Sequence, residues 1–352
     1  MHAHRPRLGR QVRAFWHDVK RYRFAYLLLL PCFLLMMAVH FIPVAQGIYM
    51  SRLWLTKETL KDYLGAPSVG DYNYRFSLNI LRLEEDCSKP PTEKGRKMCA
   101  LIVKKKEQGR DANPITSGLL DATRNTLVYA FFVNLGNIGL GILGAQLLNR
   151  QFYGRRIART LMLMPWIVPT FAVGMLWGFM FKQEEGIINK ILVDWLGLLS
   201  TKPAWLRGKM VMAAIIIPTI WRQLPFNIIM FLAALQVVPR ELYEAAAIDG
   251  AGPLQRFTRI TVPYLKPVLA IVLMWGIIFT VFGYNIVVMM FNNPAGYAGE
   301  YGDILMPFIQ RQSWNMSLFG QGAATAVMMM GGMLVFVAVW YAVFRDTLTQ
   351  EG

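Results

Sequence analysis

Charged residues are scarce in this chain of 352 residues. Asp, Glu, Lys and Arg make up 16% of it, whereas soluble domains carry about a quarter. Acids are the scarcer sign, with 21 Asp and Glu against 37 Lys and Arg. Hydrophobic residues make up 55% and are gathered into long runs, which excludes an ordinary soluble domain. Three cysteines are too few for a disulfide framework.

Motifs for catalysis are also missing. The chain has no G-x-x-x-x-G-K-[ST] phosphate loop, so we expect ATP and Mg to be bound elsewhere. His2, His4 and His17 lie in the N-terminal segment, and His40 lies alone in the first apolar run, where we expect a structural hydrogen bond. No residues show the spacing of a zinc site or of a nucleophile with its base. The sequence therefore predicts neither an enzyme nor a metal or cofactor site.

Six apolar runs are long enough to cross a bilayer, which needs about 20 residues in a helix. A signal peptide is the alternative for the first run, but that run is too long and no A-x-A-like cleavage site follows. The sequence predicts an all-α membrane protein with six transmembrane helices, at Phe24–Tyr49, Thr126–Leu148, Ile157–Phe181, Val211–Leu235, Pro267–Phe291 and Gly322–Phe344.

Basic residues indicate the orientation of these helices, because cytoplasmic loops are rich in Lys and Arg. They are concentrated in the tail 1–23, after the second span, in the connection 236–266 and at Arg345. We therefore expect cytoplasmic N- and C-termini, including the tail 345–352, and a multi-pass protein of the bacterial inner membrane. Since the basic residues lie beside apolar runs rather than in one stripe, no nucleic-acid partner is expected.

The segment 51–125 is too long for a hairpin loop and should be an extracytoplasmic insert between the first two helices. It either docks a partner or serves as a solvated spacer, and its composition does not decide between them. Cys87 and Cys99 lie in it and either form a disulfide or remain free thiols. Cys32 lies within the first span and is expected to be an inert apolar residue.

A cytoplasmic loop before the fifth span has the features of a short helix. Pro239 suits the first helical turn, Glu241 suits the positive end of the helix dipole, and Gly250 suits a left-handed terminator. Pro253 begins a second short helix, which Pro263 and Pro267 should break. Small exposed alanines favour a docking knob for another protein. The alternative is an amphipathic helix on the lipid surface.

Within this loop, Glu244-Ala245-Ala246, Gly250, Ile260 and Val262-Pro263 occur at fixed spacing. The pattern resembles the EAA loop of the permeases of binding-protein-dependent ABC importers, with Val262 where that family usually has Leu. The resemblance implies a coupling loop within 238–266 that seats in a groove of a separate ATPase. The implied coupling residues are Glu244, Ala245, Ala246, Asp249 and Gly250.

Further segments resemble the carbohydrate branch of this family, which includes the maltose-type permeases. The stretch from Trp221 and Pro225 to 231–236 is similar to that branch's approach to the loop. The resemblance implies an ATPase dimer, a second homologous permease, an extracytoplasmic solute-binding protein and a carbohydrate substrate, within membrane lipid. The insert departs from the family pattern, as does 292–296, which replaces its usual Gly-Gly-Pro, so the solute stays open.

Polar residues inside the spans are candidates for the solute pathway, because they are costly in lipid. The alternative for each is a hydrogen bond between helices. Arg222 is expected to pair with an acid or a carbonyl, and glycines of the second span are expected to pack closely. The pathway candidates are Asn134, Gln223, Asn227, Tyr284 and Asn285.

Three other functions make different demands on the sequence. An ion-coupled secondary transporter would need intramembrane acids, and no Asp or Glu falls within the six predicted spans. A membrane-embedded enzyme would need a catalytic cluster. A permease of the same family for a non-sugar solute is compatible with the sequence and is the main alternative.

Overall fold

The computed structural model describes residues 21–107, 118–291 and 297–349. Within these ranges the regular structure is helical, apart from an isolated bridge between Leu53 and Ser68. The all-α prediction is confirmed to that extent. The predictions for the tail up to residue 20, for the stretch 292–296 and for residues 350–352 lie outside the described residues.

Thirteen helices of the described ranges are numbered here in chain order, and the short helical segments at Leu60–Asp62, Ile187–Asn189, Lys190–Trp195 and Arg311–Asn315 are left unnumbered. Helix α10 joins Pro253–Arg256 and Val262–Val281 through a π-helical turn at Phe257–Thr261. The others are α1 Arg23–Met50, α2 Tyr72–Ser77, α3 Leu83–Asp86, α4 Glu93–Glu107, α5 Leu119–Asn149, α6 Arg155–Ile167, α7 Thr170–Met180, α8 Gly208–Val237, α9 Arg240–Ile248, α11 Asn285–Phe291, α12 Leu305–Gln310 and α13 Phe319–Thr349.

Long apolar helices account for most of the predicted spans. In the described ranges five helical stretches are long and apolar enough to cross a membrane, and the bent pair α6 and α7 would make a sixth. Helix α5 begins at Leu119, so the end of the segment 51–125 already belongs to a membrane-type helix. Helix α13 likewise begins before Gly322, at Phe319.

The third span, predicted as one segment from Ile157 to Phe181, is broken. Helices α6 and α7 meet at an angle of 92°. Val168 has extended dihedrals, with φ −62° and ψ 128°, because the residue before a proline is disfavoured in the α region and Pro169 follows. The break turns a carbonyl group, that of Val168, away from the helical ladder.

The prediction that Pro263 and Pro267 break the segment before the fifth span is wrong. The helix continues through both prolines to Val281. A π-helical turn ends two residues before Pro263, and another, at Met37–Phe41, ends two residues before Pro43 in α1. A π-helical turn shifts the hydrogen-bonding register, so a proline just after it fits without ending the helix.

Helices α5 and α8 run parallel and in close contact. Tyr129 bonds Thr219 near one end, and the β-carbon that Gly144 lacks would lie 2.6 Å from Ile228 near the other. Gly136 and Gly141 also meet side chains of α8, as the sequence predicted, whereas Gly139 has open space. The β-carbon-free surface of α5 lets α8 approach closely.

Helices α7 and α11 make a second close crossing. The added β-carbon would lie 2.5 Å from the Ile286 carbonyl oxygen at Gly174 and 2.6 Å from the Met290 carbonyl oxygen at Gly178. Both neighbours are backbone atoms that cannot rotate away. This Gly-x-x-x-Gly spacing is the arrangement by which membrane helices bring their backbones together.

The insert packs as a small unit against the N-terminal end of α13. Its buried residues include Val69, Tyr72, Leu81 and Cys99. Ser77 in α2 bonds the hydroxyl of Thr325 in α13 at 3.0 Å, so side chains join the insert to the last long helix.

We expect Gly174→Ala to destabilise the protein by about 1–3 kcal/mol, because the new methyl group meets a backbone carbonyl. The measurement is thermal unfolding of the purified chain in detergent. Gly331→Ala is the matched control, since a β-carbon there has no atom within 4 Å. Equal stability of the two variants would contradict the close crossing of α7 and α11.

Candidate functional site

Helix α9 is a nine-residue element attached between two membrane-type helices. Pro239, with φ −60° and ψ 135°, turns the chain out of α8 and begins α9. Gly250 ends it with φ +78°, which glycine adopts at little cost. The Ala251 amide then donates to the Ala246 carbonyl at 2.8 Å and the Gly250 amide to that of Ala247 at 3.1 Å, a Schellman-type cap.

The predicted coupling residues lie together on this small projection. Glu244, Ala245, Asp249 and Gly250 are exposed, and Ala246 is half-buried. Neither Glu244 nor Asp249 has an ion-pair partner among the described residues. Both carboxylates are therefore open to another protein, as a docking element requires.

Two further residues of α9 were not singled out from the sequence. Ile248 is 87% exposed, which is unusual for a large apolar side chain. Tyr243 faces inward and bonds the Thr261 hydroxyl at 2.9 Å, which joins α9 to the start of α10. Helical spacing places both residues on α9, but only the packing of α9 shows that Tyr243 faces the protein and Ile248 faces away from it.

A second feature is a row of four aromatic rings on α6, α8 and α10, here called the aromatic surface. Phe226 lies between Trp166 and Trp275, with centroids 6.2 Å from each, and Trp275 lies 6.4 Å from Phe279. Trp166 and Trp275 are exposed, and the other two are half-buried. Such a row presents flat apolar ring faces within the part of the protein that the long apolar helices form.

Arg222 lies at one end of the aromatic surface. Its Nε donates to the freed carbonyl of Val168 at 3.3 Å, and its Cζ lies 5.8 Å from the Phe279 ring centroid. Of the acid or carbonyl partners expected from the sequence, the structure shows the carbonyl.

Three of the predicted pathway residues are buried among α5, α8 and α10. Asn137 donates to the Gln223 side chain at 2.9 Å, Asn227 donates to the Gln223 carbonyl at 2.9 Å, and Asn134 donates to the Ala130 carbonyl at 2.7 Å. The first of these bonds joins two helices. One donor of Gln223 and one acceptor of Asn137 remain without a protein partner among the described residues.

The other two predicted pathway residues lie beyond α10. Asn285 is exposed and donates to the Thr170 hydroxyl at 3.1 Å. Tyr284 lines an open cleft of about 470 Å³ together with Met306, Ile309, Gln310, Ser313 and Trp314. The structure thus places the five candidates in two separate groups rather than in one site.

The cleft is supported by a buried ion pair. Arg311 and Asp303 are both about 1% exposed, with Nη1 and Oδ1 3.0 Å apart. The Tyr297 ring lies 4.6 Å from the Arg311 guanidinium carbon. Burying such a pair requires good geometry, and removing one partner is costly. The pair fixes the turn that follows α12.

The insert is held together by charge as well as by its core. Asp86 is fully buried and lies 3.2 Å from both Arg75 and Lys89. Asp71 bonds Lys89 at 2.8 Å, and this hydrogen bond lowers the pKa of Asp71 and raises the pKa of Lys89. In the structure Cys87 is joined to Cys99, with Cα atoms 5.3 Å apart.

Comparison with known proteins decides the family. Residues 137–348 match the family described as the binding-protein-dependent transport system inner membrane component. The chain belongs to this family. It is therefore a transport subunit, the permease of an ABC importer, and not an enzyme. The match takes in α8, α9, the aromatic surface and the cleft.

Two curated relatives show how far the similarity extends. The trehalose/maltose transport system permease protein MalF of Thermococcus litoralis is 33% identical over 209 residues, which are 58% of this chain and 68% of that protein. The sulfoquinovosyl glycerol transport system permease protein SmoG of Agrobacterium fabrum is 28% identical over 333 residues, 94% of this permease and 93% of the relative.

A solved structure has the same fold. It is a chain of a bacterial alginate ABC transporter in complex with an alginate pentasaccharide-bound periplasmic protein, with a TM-score of 0.68 and 21% identity. The similarity covers 95% of this permease and 98% of that chain. At this identity it supports the overall architecture and not the solute. In the described ranges of this permease, no three or more His, Cys, Asp or Glu residues are grouped as a metal site.

We expect the Cys87–Cys99 link to stabilise the insert by about 2–3 kcal/mol, because it closes a short loop. Replacing both cysteines by serine should make the insert more sensitive to limited proteolysis. Peptide mass spectrometry without reductant should find the linked pair and an unmodified Cys32. Two free thiols in the purified protein, or unchanged proteolysis after replacement, would contradict the stabilising link.

Proposed function

We propose that this permease forms half of the translocation pathway for a carbohydrate, a mono- or oligosaccharide or a related polyol. An extracytoplasmic binding protein delivers the solute, and a separate ATPase drives transport through α9. One observation supports this most directly: α8 carries Phe226, the ring between the two tryptophans of the aromatic surface, and continues within three residues into α9. A force on α9 therefore acts on the helix that faces the solute.

The aromatic surface supports a carbohydrate as solute. Sugar rings present apolar C–H faces that stack on aromatic side chains, while their hydroxyl groups need polar partners at the edge. The names of the relatives agree with this class, since they specify trehalose/maltose and sulfoquinovosyl glycerol. The main alternative is a non-sugar solute. It is supported by a relative from Escherichia coli, the sn-glycerol-3-phosphate permease UgpA, which is 34% identical over 167 residues.

Exposed surfaces of the chain support two of the proposed protein partners. Exposed rings along one flank suit a second homologous permease that completes the pathway. The exposed α9 suits the groove of an ATPase dimer, which would bind ATP and Mg. Its free carboxylates favour a protein partner over lipid, since a helix lying on the bilayer is typically rich in Lys and Arg on its polar face.

The two ends of the parallel pair α5 and α8 differ. One end is followed by α9, and the other adjoins the insert, which directly precedes α5. Opposite ends of a membrane helix lie on opposite sides of the bilayer. We place α9 and both termini in the cytoplasm and the insert outside, in agreement with the distribution of basic residues.

The insert is proposed as a docking element for the binding protein. A solvated spacer would need no fixed attachment to the membrane helices. Here Thr325 in α13 bonds both Ser77 of the insert and Gln312, which lies between the cleft residues Gln310 and Ser313, at 3.0 and 2.9 Å. Contact of a partner with the insert would therefore be transmitted to α13.

Transport would alternate between two states. ATP binding would close the ATPase pair and bring the cytoplasmic ends of α8 and α10 together through α9, opening the cavity outward. After hydrolysis the cavity would open inward and release the solute. Tyr243, bonded to Thr261, would make α9 and the start of α10 move together.

We expect Gly250→Ala to reduce uptake strongly while the protein still inserts in the membrane. An alanine at φ +78° is strained by about 1–2 kcal/mol, which would reshape the end of α9. Gly252→Ala is the matched control, because Gly252 has φ −68° and open space around it. The measurements are uptake of radiolabelled carbohydrate by whole cells and solute-stimulated ATPase activity of the purified complex.

Glu244→Ala should likewise abolish uptake, because it removes a free carboxylate from the docking face. Arg240→Ala, at the first position of the same helix, tests whether any charge change in α9 has this effect. Normal solute-stimulated ATPase activity in both Gly250→Ala and Glu244→Ala would remove the coupling role from α9.

A further inference from the structure

Arg222 is a charged residue near the middle of a membrane helix. It lies eleven residues after Val211 and fifteen before Val237. At a rise of 1.5 Å per residue it is about 17 Å from the outer end of that segment. A cation at this depth costs several kcal/mol unless it is compensated, and such residues mark pathways more often than packing.

The described part of the chain supplies no acid to Arg222. The long helices α1, α5, α8, α10 and α13 and the pair α6 and α7 contain two acids, Asp121 and Asp346, and each lies in a terminal turn. Arg222 forms no ion pair with a described residue. The nearest compensation is the Val168 carbonyl, on Nε, and the face of the Phe279 ring.

These two contacts involve only Nε and one face of the guanidinium group. Arginine presents five N–H donors in a planar fork, and the two terminal nitrogens suit the two oxygens of an oxyanion. In the described structure these nitrogens have no hydrogen-bond partner, and they are not among the buried unpaired atoms. They border the aromatic surface, since Phe226 lies one helical turn along α8 from Arg222.

We propose that Arg222 binds an anionic group of the transported solute, a carboxylate, sulfonate or phosphate carried by the sugar that the aromatic surface contacts. This inference rests on the proposed function and narrows its substrate class from carbohydrates to acidic carbohydrates. The ring would stack on Phe226 and Trp275, and the oxyanion would meet the fork of Arg222.

Two other sources of negative charge are less suited to the site. Lipid phosphates lie at the surfaces of a bilayer whose core is about 30 Å thick, too far from a residue near its middle. An acid of the second permease would bind the arginine permanently, and the arginine would then show no preference among solutes. The experiment separates these cases by the charge of the solute.

Cells that make the complete transporter are supplied with a mixture of uronic-acid disaccharides, sulfonated sugars and phosphorylated sugars, each with its neutral counterpart. Loss of each compound from the medium is measured by mass spectrometry, and cells lacking this chain define the solutes that need it. The variants are Arg222→Gln, which can still bond Val168 but is neutral, and Arg222→Lys, which keeps the charge. Arg207→Gln, exposed just before α8, is the control.

The expected result is that the solutes requiring this chain are anionic. Their uptake should fall about tenfold to hundredfold in Arg222→Gln, less in Arg222→Lys, and not in Arg207→Gln, since hydrogen bonds between charged groups are worth about 1.5–3 kcal/mol. Co-purification of the ATPase is expected to be unchanged in all three, because none of the substituted residues lies in α9.

Other outcomes would overturn the inference. Chain-dependent uptake of neutral sugars only would refute it and leave the proposed function intact. Full uptake of an anionic solute by Arg222→Gln would also refute it, as would equal losses in the Gln and Lys variants or failure of Arg222→Gln to assemble, which would assign the residue to the helix break. Uptake of no carbohydrate that depends on the chain would refute the proposed function itself.

Discussion

Helices inside a bilayer gain little from the hydrophobic effect when they pair, because lipid is as apolar as their side chains. Their association depends on close packing and on hydrogen bonds between polar side chains. The pairing of α5 with α8 has both, through the glycines of α5 and the contact of Asn137 with Gln223. This contact fixes α8, and α8 carries Arg222, Phe226 and the connection to α9.

The break between α6 and α7 is the second constraint on the site. Backbone groups that leave a helix at membrane depth need partners within the protein or in a water-filled cavity. The carbonyl of Val168, which leaves the helix at this break, accepts a hydrogen bond from Arg222. The break before Pro169 thus positions the side chain of Arg222 on α8, and it holds Trp166 beside Phe226. The same irregularity that interrupts the span builds one edge of the aromatic surface.

Much of the architecture was predictable because membrane helices are encoded locally. Apolar runs located the first and fourth spans to within a few residues, whereas α5 begins at Leu119 rather than Thr126 and the fifth span ends at Val281 rather than Phe291. Pro239 and Gly250 correctly predicted where α9 begins and ends. The break at Val168 was missed, although Pro169 was visible, because proline is also tolerated in continuous membrane helices, as Pro263 and Pro267 show. Sequence gives the presence of a proline and not the hydrogen-bonding register around it.

The candidate site was less predictable, since it is assembled from side chains distant in the chain. Amides such as Asn134 and Asn227 stood out as polar residues in apolar runs, yet the structure buries them between helices. The aromatic surface carried no signal, because Phe226 and Trp275 are ordinary apolar residues until tertiary packing brings them together. Arg222 was visible as an anomaly, but its neighbours could be named only from the fold.

The central claim is that α9 and the insert lie on opposite sides of the membrane, with α9 facing the ATPase. It is tested by labelling single cysteines with a membrane-impermeant maleimide after Cys32→Ala. Leu64, in the insert, is 70% exposed and Ile248 is 87% exposed, so Leu64→Cys and Ile248→Cys make a matched pair. The account predicts that Leu64→Cys reacts in intact spheroplasts and Ile248→Cys only after lysis, with protection by the ATPase. Labelling of both in intact spheroplasts would contradict it.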